Sequence, residues 1–217
     1  MDDVARRPAG KRILIIQGHP DPCLRRFGHA LAAAYAAGAQ PAGHEVRNIE
    51  LAQLSFPLLH SAREFYQGPT PEPILKAQDD IRWAVHLVFV FPIWHGHIPA
   101  LLHAFLEQTF RPGFSIEIGA DGRPRKLLTG KTARLIATAG MPAFFHRWFF
   151  GAHSLKSLKR NILHFAGIRP VRTTVIGGLG FGQPDLSQPA PGLLPLMGPA
   201  RPERALDKVR MLGIRGR

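Results

Sequence analysis

Three short stretches put residues of useful chemistry at the ends of apolar runs. In the first, "IIQGHPDPCLRRFGHAL" (residues 15 to 31), an apolar strand-like segment breaks at Gly18-His19-Pro20-Asp21-Pro22 and enters an amphipathic helix through Arg25, Arg26 and Phe27. A strand-to-helix turn leaves the first N–H groups of the helix unpaired, and with two guanidiniums beside them these groups suit a phosphate. The second, "FPIWHGHIPALL", ends a strand at Pro92, bends at Gly96 and presents Trp94, either as a flat ring at a ligand edge or as a core side chain. The third, Thr138-Ala139-Gly140-Met141-Pro142, places a small residue and a glycine where backbone can approach a ligand closely, or forms a plain turn. None of these loops holds a GxSxG elbow or a pair of acids, so hydrolysis has no support. A phosphate grip, a flat aromatic and accessible backbone, without a nucleophile, point to chemistry carried by a bound cofactor.

The elements that must position these stretches are legible as alternating periods. Ile13 to Gln17, Val85 to Phe91, Thr132 to Thr138 and Val171 to Gly177 are continuous apolar or β-branched runs, as expected of strands covered on both faces, and residues 44 to 51 alternate like a more peripheral strand. Between them lie helical patterns at Phe27 to Ala39, Pro73 to Trp83, Pro99 to Gln108 and Lys156 to Phe165, with a last one at Pro202 to Leu212. Pro stands at the first helical position in three of them. Strands alternating with helices predict a parallel sheet with helices on both faces, an α/β fold in one domain spanning residues 1 to 217. In such sheets ligands bind beyond the carboxyl ends of the strands, where the three stretches fall. Residues 52 to 72 and 109 to 131 are long connections, and 177 to 200 is a Pro/Gly-rich, irregular extension before the C-terminal helix.

Bulk properties narrow the partners. The formal net charge is +13, and 12 Lys/Arg stand against 2 acids between residues 111 and 172. Such a field draws dinucleotides, nucleic acid and anionic membrane alike, or serves solubility, and charge alone makes no choice among them. Cys23 is the only cysteine, so neither an internal disulfide nor a cysteine-pair zinc site is expected. The lack of a signal-like N-terminus or a spanning apolar run predicts a cytoplasmic chain without membrane insertion.

Several superficial motifs fail on context. "TGKT" at 129 to 132 would need Gly at position 125, which is Arg125, and it precedes a strand. "GGLGFG" at 177 to 182 follows the last strand and lacks the third glycine in place. His95, His97 and His103 lack a completing carboxylate or thiolate, so no metal site is expected.

With these residues in place the chain resembles the flavodoxin-like NAD(P)H:quinone oxidoreductases, including the ancillary subunits of potassium efflux systems. The resemblance is carried by "ILIIQGHPDP", "FPIWHGHIPALLHAFLEQTFRPGF", "TARLIATAGMP" and "SLKSLKRNILHFAGIRPVRTTVIG". It implies a five-stranded sheet in order 2-1-3-4-5, FAD or FMN at the strand ends, NAD(P)H as hydride donor, a quinone-like acceptor and a homodimer that completes the site. It places the flavin phosphate on His19, Arg26 and Phe27, the ring along Pro92, Ile93, Trp94, His95 and Gly96, and the ring's back on Thr138, Ala139, Gly140 and Met141, with Trp94, His95 and Gly96 nearest the chemistry. Arg25-Arg26-Phe27-Gly28 replaces the hydroxyl-bearing residues and asparagine common in the family, so phosphate binding leans on charge. A regulatory flavoprotein that binds a channel is a second expectation. A basic nucleic-acid-binding domain is a third, for which no recognition motif is present.

Overall fold

The computed structural model describes residues 10–140, 153–179 and 202–217. Five parallel strands form one sheet: β1 (Arg12–Gln17), β2 (Glu45–Glu50), β3 (His86–Pro92), β6 (Thr132–Thr138) and β7 (Val171–Ile176), in the order β2-β1-β3-β6-β7. This is the 2-1-3-4-5 order of the main strands. A two-stranded antiparallel ribbon, β4 (Ile116–Ile118) with β5 (Pro124–Lys126), lies in the connection at 109 to 131, expected from the sequence only as a long connection.

The all-apolar strands lie where burial is complete. Every residue of β3, the central strand, is buried, whereas β2 at the edge buries only Ile49, which is why its pattern alternates. One face of the sheet packs on α3 (Glu72–Trp83), α4 (Ala100–Thr109) and the helix after residue 152. The other face, built from Ile13, Ile15, Val88, Val90 and Ile136, packs on α1 (Phe27–Ala39) and on α7 (Pro202–Ile214).

The α1–α7 contact is backbone-close. A Cβ added at Gly38 would lie 2.1 Å from the Arg210 carbonyl oxygen, and one at Gly213 would lie 2.1 Å from that of Tyr35. Two glycines on facing helices thus set the interhelical distance, a reason for glycine that neither helical pattern reveals. Arg134 on β6 donates through Nε to the Arg217 carbonyl at 2.9 Å and through Nη1 to Thr174 Oγ1 at 2.9 Å, holding the end of this segment to the sheet.

The 52 to 72 connection is also ordered, by means not visible in its composition. It contains α2 (Ala62–Gln67), capped by Ser61 Oγ, which accepts the Glu64 N–H at 3.1 Å, while Glu64 accepts the His60 N–H at 2.9 Å. Arg111, buried at the end of α4, gathers the carbonyls of Glu64, Phe65, Gly68 and Pro69. Its charge sits at the C-terminal end of α2, where the helix dipole favours a cation.

The segment expected to be one helix at Lys156 to Phe165 is α5 (His153–Ser157), a π-helical stretch at Leu158–Leu163 and α6 (His164–Ala166). Leu155, Leu158, Leu163 and Ala166 all enter the same core. The five-residue step from Leu158 to Leu163 is too wide for an α-helical face, and a turn of i to i+5 bonding accommodates it.

Candidate functional site

The carboxyl ends of β1, β3 and β6 lie side by side and are laced by backbone bonds. Gly18 N–H donates to the Val90 carbonyl at 2.7 Å, Ile93 N–H to that of Thr138 at 2.7 Å, and Ala139 N–H to that of Ile176 at 2.9 Å. Gly18 is required by space: a Cβ there would meet Leu102 of α4 at 2.9 Å and the Phe91 side chain at 3.2 Å. The first connection therefore leaves the sheet tight against α4.

Asp21 organises the first connection. Its N–H donates to His19 Nδ1 at 3.0 Å, its carbonyl accepts from His29 Nε2 at 3.1 Å, and Oδ1 accepts the Cys23 N–H at 2.8 Å. Oδ2 takes Arg26 through Nε and Nη2, each at 2.7 Å. The Cys23 N–H bond first, and Arg26 second, hold the Asp21 carboxyl below its usual range. On the far side of His29, its Nδ1 lies 3.4 Å from Glu50 Oε2, and burial raises the Glu50 carboxyl while His29 opposes the rise.

At the mouth of α1 the helix begins without a side-chain cap and without an acid in its first turn. The N–H groups of Phe27 and Gly28 have no partner among the described residues. Gln17, the one polar residue of the buried β1 run, lies under this turn. Its Oε1 accepts the His19 N–H at 3.2 Å, its Nε2 is buried and without a partner among the described residues, and both atoms lie within 4 Å of the Cβ that Gly28 lacks. An orphaned buried donor beneath two free N–H groups and a guanidinium is a fitting cradle for an anion.

The second connection is a closed two-residue turn. Trp94 N–H donates to the His97 carbonyl at 2.9 Å and His97 N–H returns to that of Trp94 at 2.8 Å. Between them His95 has φ 50° and Gly96 φ 78°, and positive φ at both central residues is the mark of a type I′ turn. The turn thereby occupies the Trp94 N–H, and the Thr138 carbonyl takes that of Ile93. Among the described residues those of His95 and Gly96 remain without a partner. Trp94 is 46% exposed, not a core side chain, and meets the buried His19 edge to face with ring centroids 5.8 Å apart.

The structure thus brings His19, Arg26, Trp94, His95 and Gly96 to neighbouring connections, with Pro92 buried at the end of β3, Ile93 half-buried, and Thr138 and Ala139 buried at the end of β6 beside Gly140. The Phe27 ring is fully buried in the core under α1, so only its backbone N–H faces the mouth of the helix. Of the four N–H groups at residues 93 to 96 two remain, because the Thr138 carbonyl takes that of Ile93 and the His97 carbonyl that of Trp94. Met141 and most of the 177 to 200 extension lie outside the described residues. Sequence reasoning passed over Gln17, Asp21 and His29; Gln17 is detectable as the sole polar residue ending an apolar strand, and Asp21 as an Asx residue two before Cys23. Among the described residues no helix is long and apolar enough to cross a membrane, and no group of three or more His, Cys, Asp or Glu could hold a metal.

The family with the flavodoxin-like fold matches residues 11–190. The chain belongs to that family. Among flavodoxin-like relatives, it is 28% identical over 170 residues to an uncharacterized NAD(P)H oxidoreductase of Haemophilus influenzae, covering 76% of this chain and 83% of that one. It is 27% identical over 101 residues to FMN-dependent NADH:quinone oxidoreductase 1 of Bacillus licheniformis, covering 46% of this chain and 47% of that one. The chain spans about half the length of several curated relatives it matches. The solved NAD(P)H:quinone oxidoreductase from Methanothermobacter marburgensis shares the flavodoxin-like fold with a TM-score of 0.74 at 20% identity, over 95% of this chain and 96% of that one.

Proposed function

We propose that this flavodoxin-like protein is a flavin-dependent oxidoreductase that takes a hydride from NAD(P)H and passes two electrons to a quinone or similar flat acceptor. The observation that carries the reading is the pairing of two donor sets on adjacent connections: the free N–H groups and guanidinium at the start of α1, and the unpaired N–H groups of His95 and Gly96 beside exposed Trp94. The names of the Haemophilus and Bacillus relatives support NAD(P)H as donor and FMN as the flavin to test first.

A bound flavin supplies the ring that accepts a hydride and releases electrons. The chain supplies the rest. Arg26, oriented by Asp21, and the N–H groups of Phe27 and Gly28 hold the phosphate, with His19 and Gln17 Nε2 beneath. Pro92, Ile93 and Trp94 border the ring, and Thr138, Ala139 and Gly140 back it. The N–H groups of His95 and Gly96 stabilise negative charge at the ring edge they meet, and they do so without reorganisation because the turn is already closed. A second copy of the chain completes the acceptor pocket in this reading.

The test is direct. Protein purified without added cofactor is expected to be yellow, to release FMN identified by mass, to bleach anaerobically with NADH or NADPH, and to recolour on adding a benzoquinone. A colourless protein that takes up neither FMN nor FAD at micromolar concentration overturns the reading.

A further inference from the structure

One contact ties the helix after residue 152 to the second connection. Ser154, buried near the start of α5, donates its hydroxyl to the Gly96 carbonyl at 2.7 Å. We propose that Ser154 is a positioning residue that fixes the His95–Gly96 turn and so sets the electron affinity of the bound flavin. The proposal rests on the flavin reading above.

The turn needs such a hold. His95 carries a side chain at φ 50°, a left-handed conformation that is unfavourable for an L-residue. The Trp94–His97 pair closes the turn on itself but does not anchor it to anything beyond its own two strand stubs. Ser154 supplies that anchor from a different element. It fixes the orientation of the peptide that follows Gly96, and with it the plane of the turn that carries the two unpaired N–H groups.

Ser154 is a firm post because its helix is fastened along its length. Leu155 sits next to it in the main core, followed by Leu158, Leu163 and Ala166. The π-helical stretch keeps both halves of that helix on one face, so the Ser154 end reaches Gly96 without releasing the Leu163 end from the core. A regular α-helix of this sequence would have turned one half away.

The consequence concerns charge. N–H donors held in place favour the reduced, more negative flavin over the oxidised one. Loosening the turn should therefore weaken binding of reduced flavin more than of oxidised flavin.

The experiment compares the full-length protein with Ser154→Ala and Ser154→Thr. With FMN bound, Ser154→Ala is expected to lose about tenfold more affinity for reduced than for oxidised FMN, a fall of about 30 mV in the two-electron potential. Ser154→Thr, which keeps the hydroxyl, is expected to restore the potential. In the flavin-free protein, amide hydrogen exchange at Trp94 and His97 is expected to quicken about tenfold in Ser154→Ala, the loss of one hydrogen bond's worth of protection. Unchanged exchange overturns the anchoring role whether or not flavin binds. Faster exchange with an unchanged potential overturns the link to flavin chemistry. A protein that holds no flavin fails the functional reading, and exchange alone then decides whether Ser154 anchors the turn.

Discussion

Asp21 grips Arg26 through two guanidinium nitrogens, each 2.7 Å from the same carboxylate oxygen. The guanidinium at the mouth of α1 is therefore aimed by an acid, not left to swing in solvent, and an Arg so held retains donors for a phosphate. Arg26→Glu places an anion beside Asp21 and the helix-terminal N–H groups. It should weaken FMN binding by more than tenfold, equivalent to about 1.4 kcal/mol. Titration of flavin-free protein with FMN, followed by fluorescence quenching, reads this; an unaltered dissociation constant removes Arg26 from the site.

Trp94 is half exposed and rests on His19 alone among ring partners in the described residues. Its removal takes away about half the buried surface that a core Trp would lose. Trp94→Ala should shift stability by about 2 kcal/mol, against about 3–5 kcal/mol for a core Trp, while turnover with NADH and a benzoquinone falls at least tenfold. Thermal unfolding beside steady-state rates checks both halves. A large drop in melting temperature with normal turnover would put the ring's role in the fold.

His86 sits buried at the opposite end of β3, its Nδ1 2.6 Å from Thr132 Oγ1 and its Nε2 without a partner among the described residues. Burial above all, and then Lys11, Arg134, His44 and Arg172, push its pKa down to about 3. The folded protein thus keeps His86 neutral at a pH where the unfolded chain would protonate it. The linkage makes folding weaken as pH falls below about 6.5, continuing until the folded pKa is reached, by a few kcal/mol in total. His86→Gln should flatten the acid side of a plot of melting temperature against pH between 7 and 4. Parallel acid limbs for the two proteins would show that His86 does not set this slope.

Lys156 and Arg160 are exposed on the helix whose first turn touches the Gly96 carbonyl through Ser154, with half-buried Lys159 between them. Replacing all three by Gln should slow reduction of bound FMN by NADPH at low salt. Reoxidation by a neutral quinone should stay within about twofold, since only the charged partner is steered. The deficit should shrink at 0.5 M salt, where screening is shorter than the roughly 10 Å found at 0.1 M. Stopped-flow traces of the two half-reactions decide it: equal losses in both would mean that these charges do not guide the coenzyme.

Periodicity and punctuation carried the architecture. The continuous apolar runs at β1, β3 and β6 and the helical patterns between them imply a parallel sheet, and that sheet implies which connections lie at its ligand edge. Gly18, Trp94 and Gly96 were legible as candidates because glycine, proline and an aromatic just beyond a strand have few other uses there. What a one-dimensional reading did not reach was the destination of each polar group. Arg111, Lys131 and Arg134 counted as part of a basic field, yet Arg111 and Arg134 are buried on carbonyls and a hydroxyl, and Lys131 donates to the carbonyls of Arg82 and Ala84. Only contacts between residues 40 or more positions apart could reveal this.

Tertiary structure likewise decided which backbone donors are free. Residues 93 to 96 offer four N–H groups by sequence, but closure of the Trp94–His97 pair and the Thr138 carbonyl consume two of them. It also decided the spacing of α1 and α7 through Gly38 and Gly213, and the reach of Ser154 to Gly96 through the π-helical step. The local sequence determines which conformations a segment prefers and which face it must bury. Pairing across the fold determines which polar groups remain for a ligand, because each hydrogen bond needs both partners in place and one of them is usually remote in the chain.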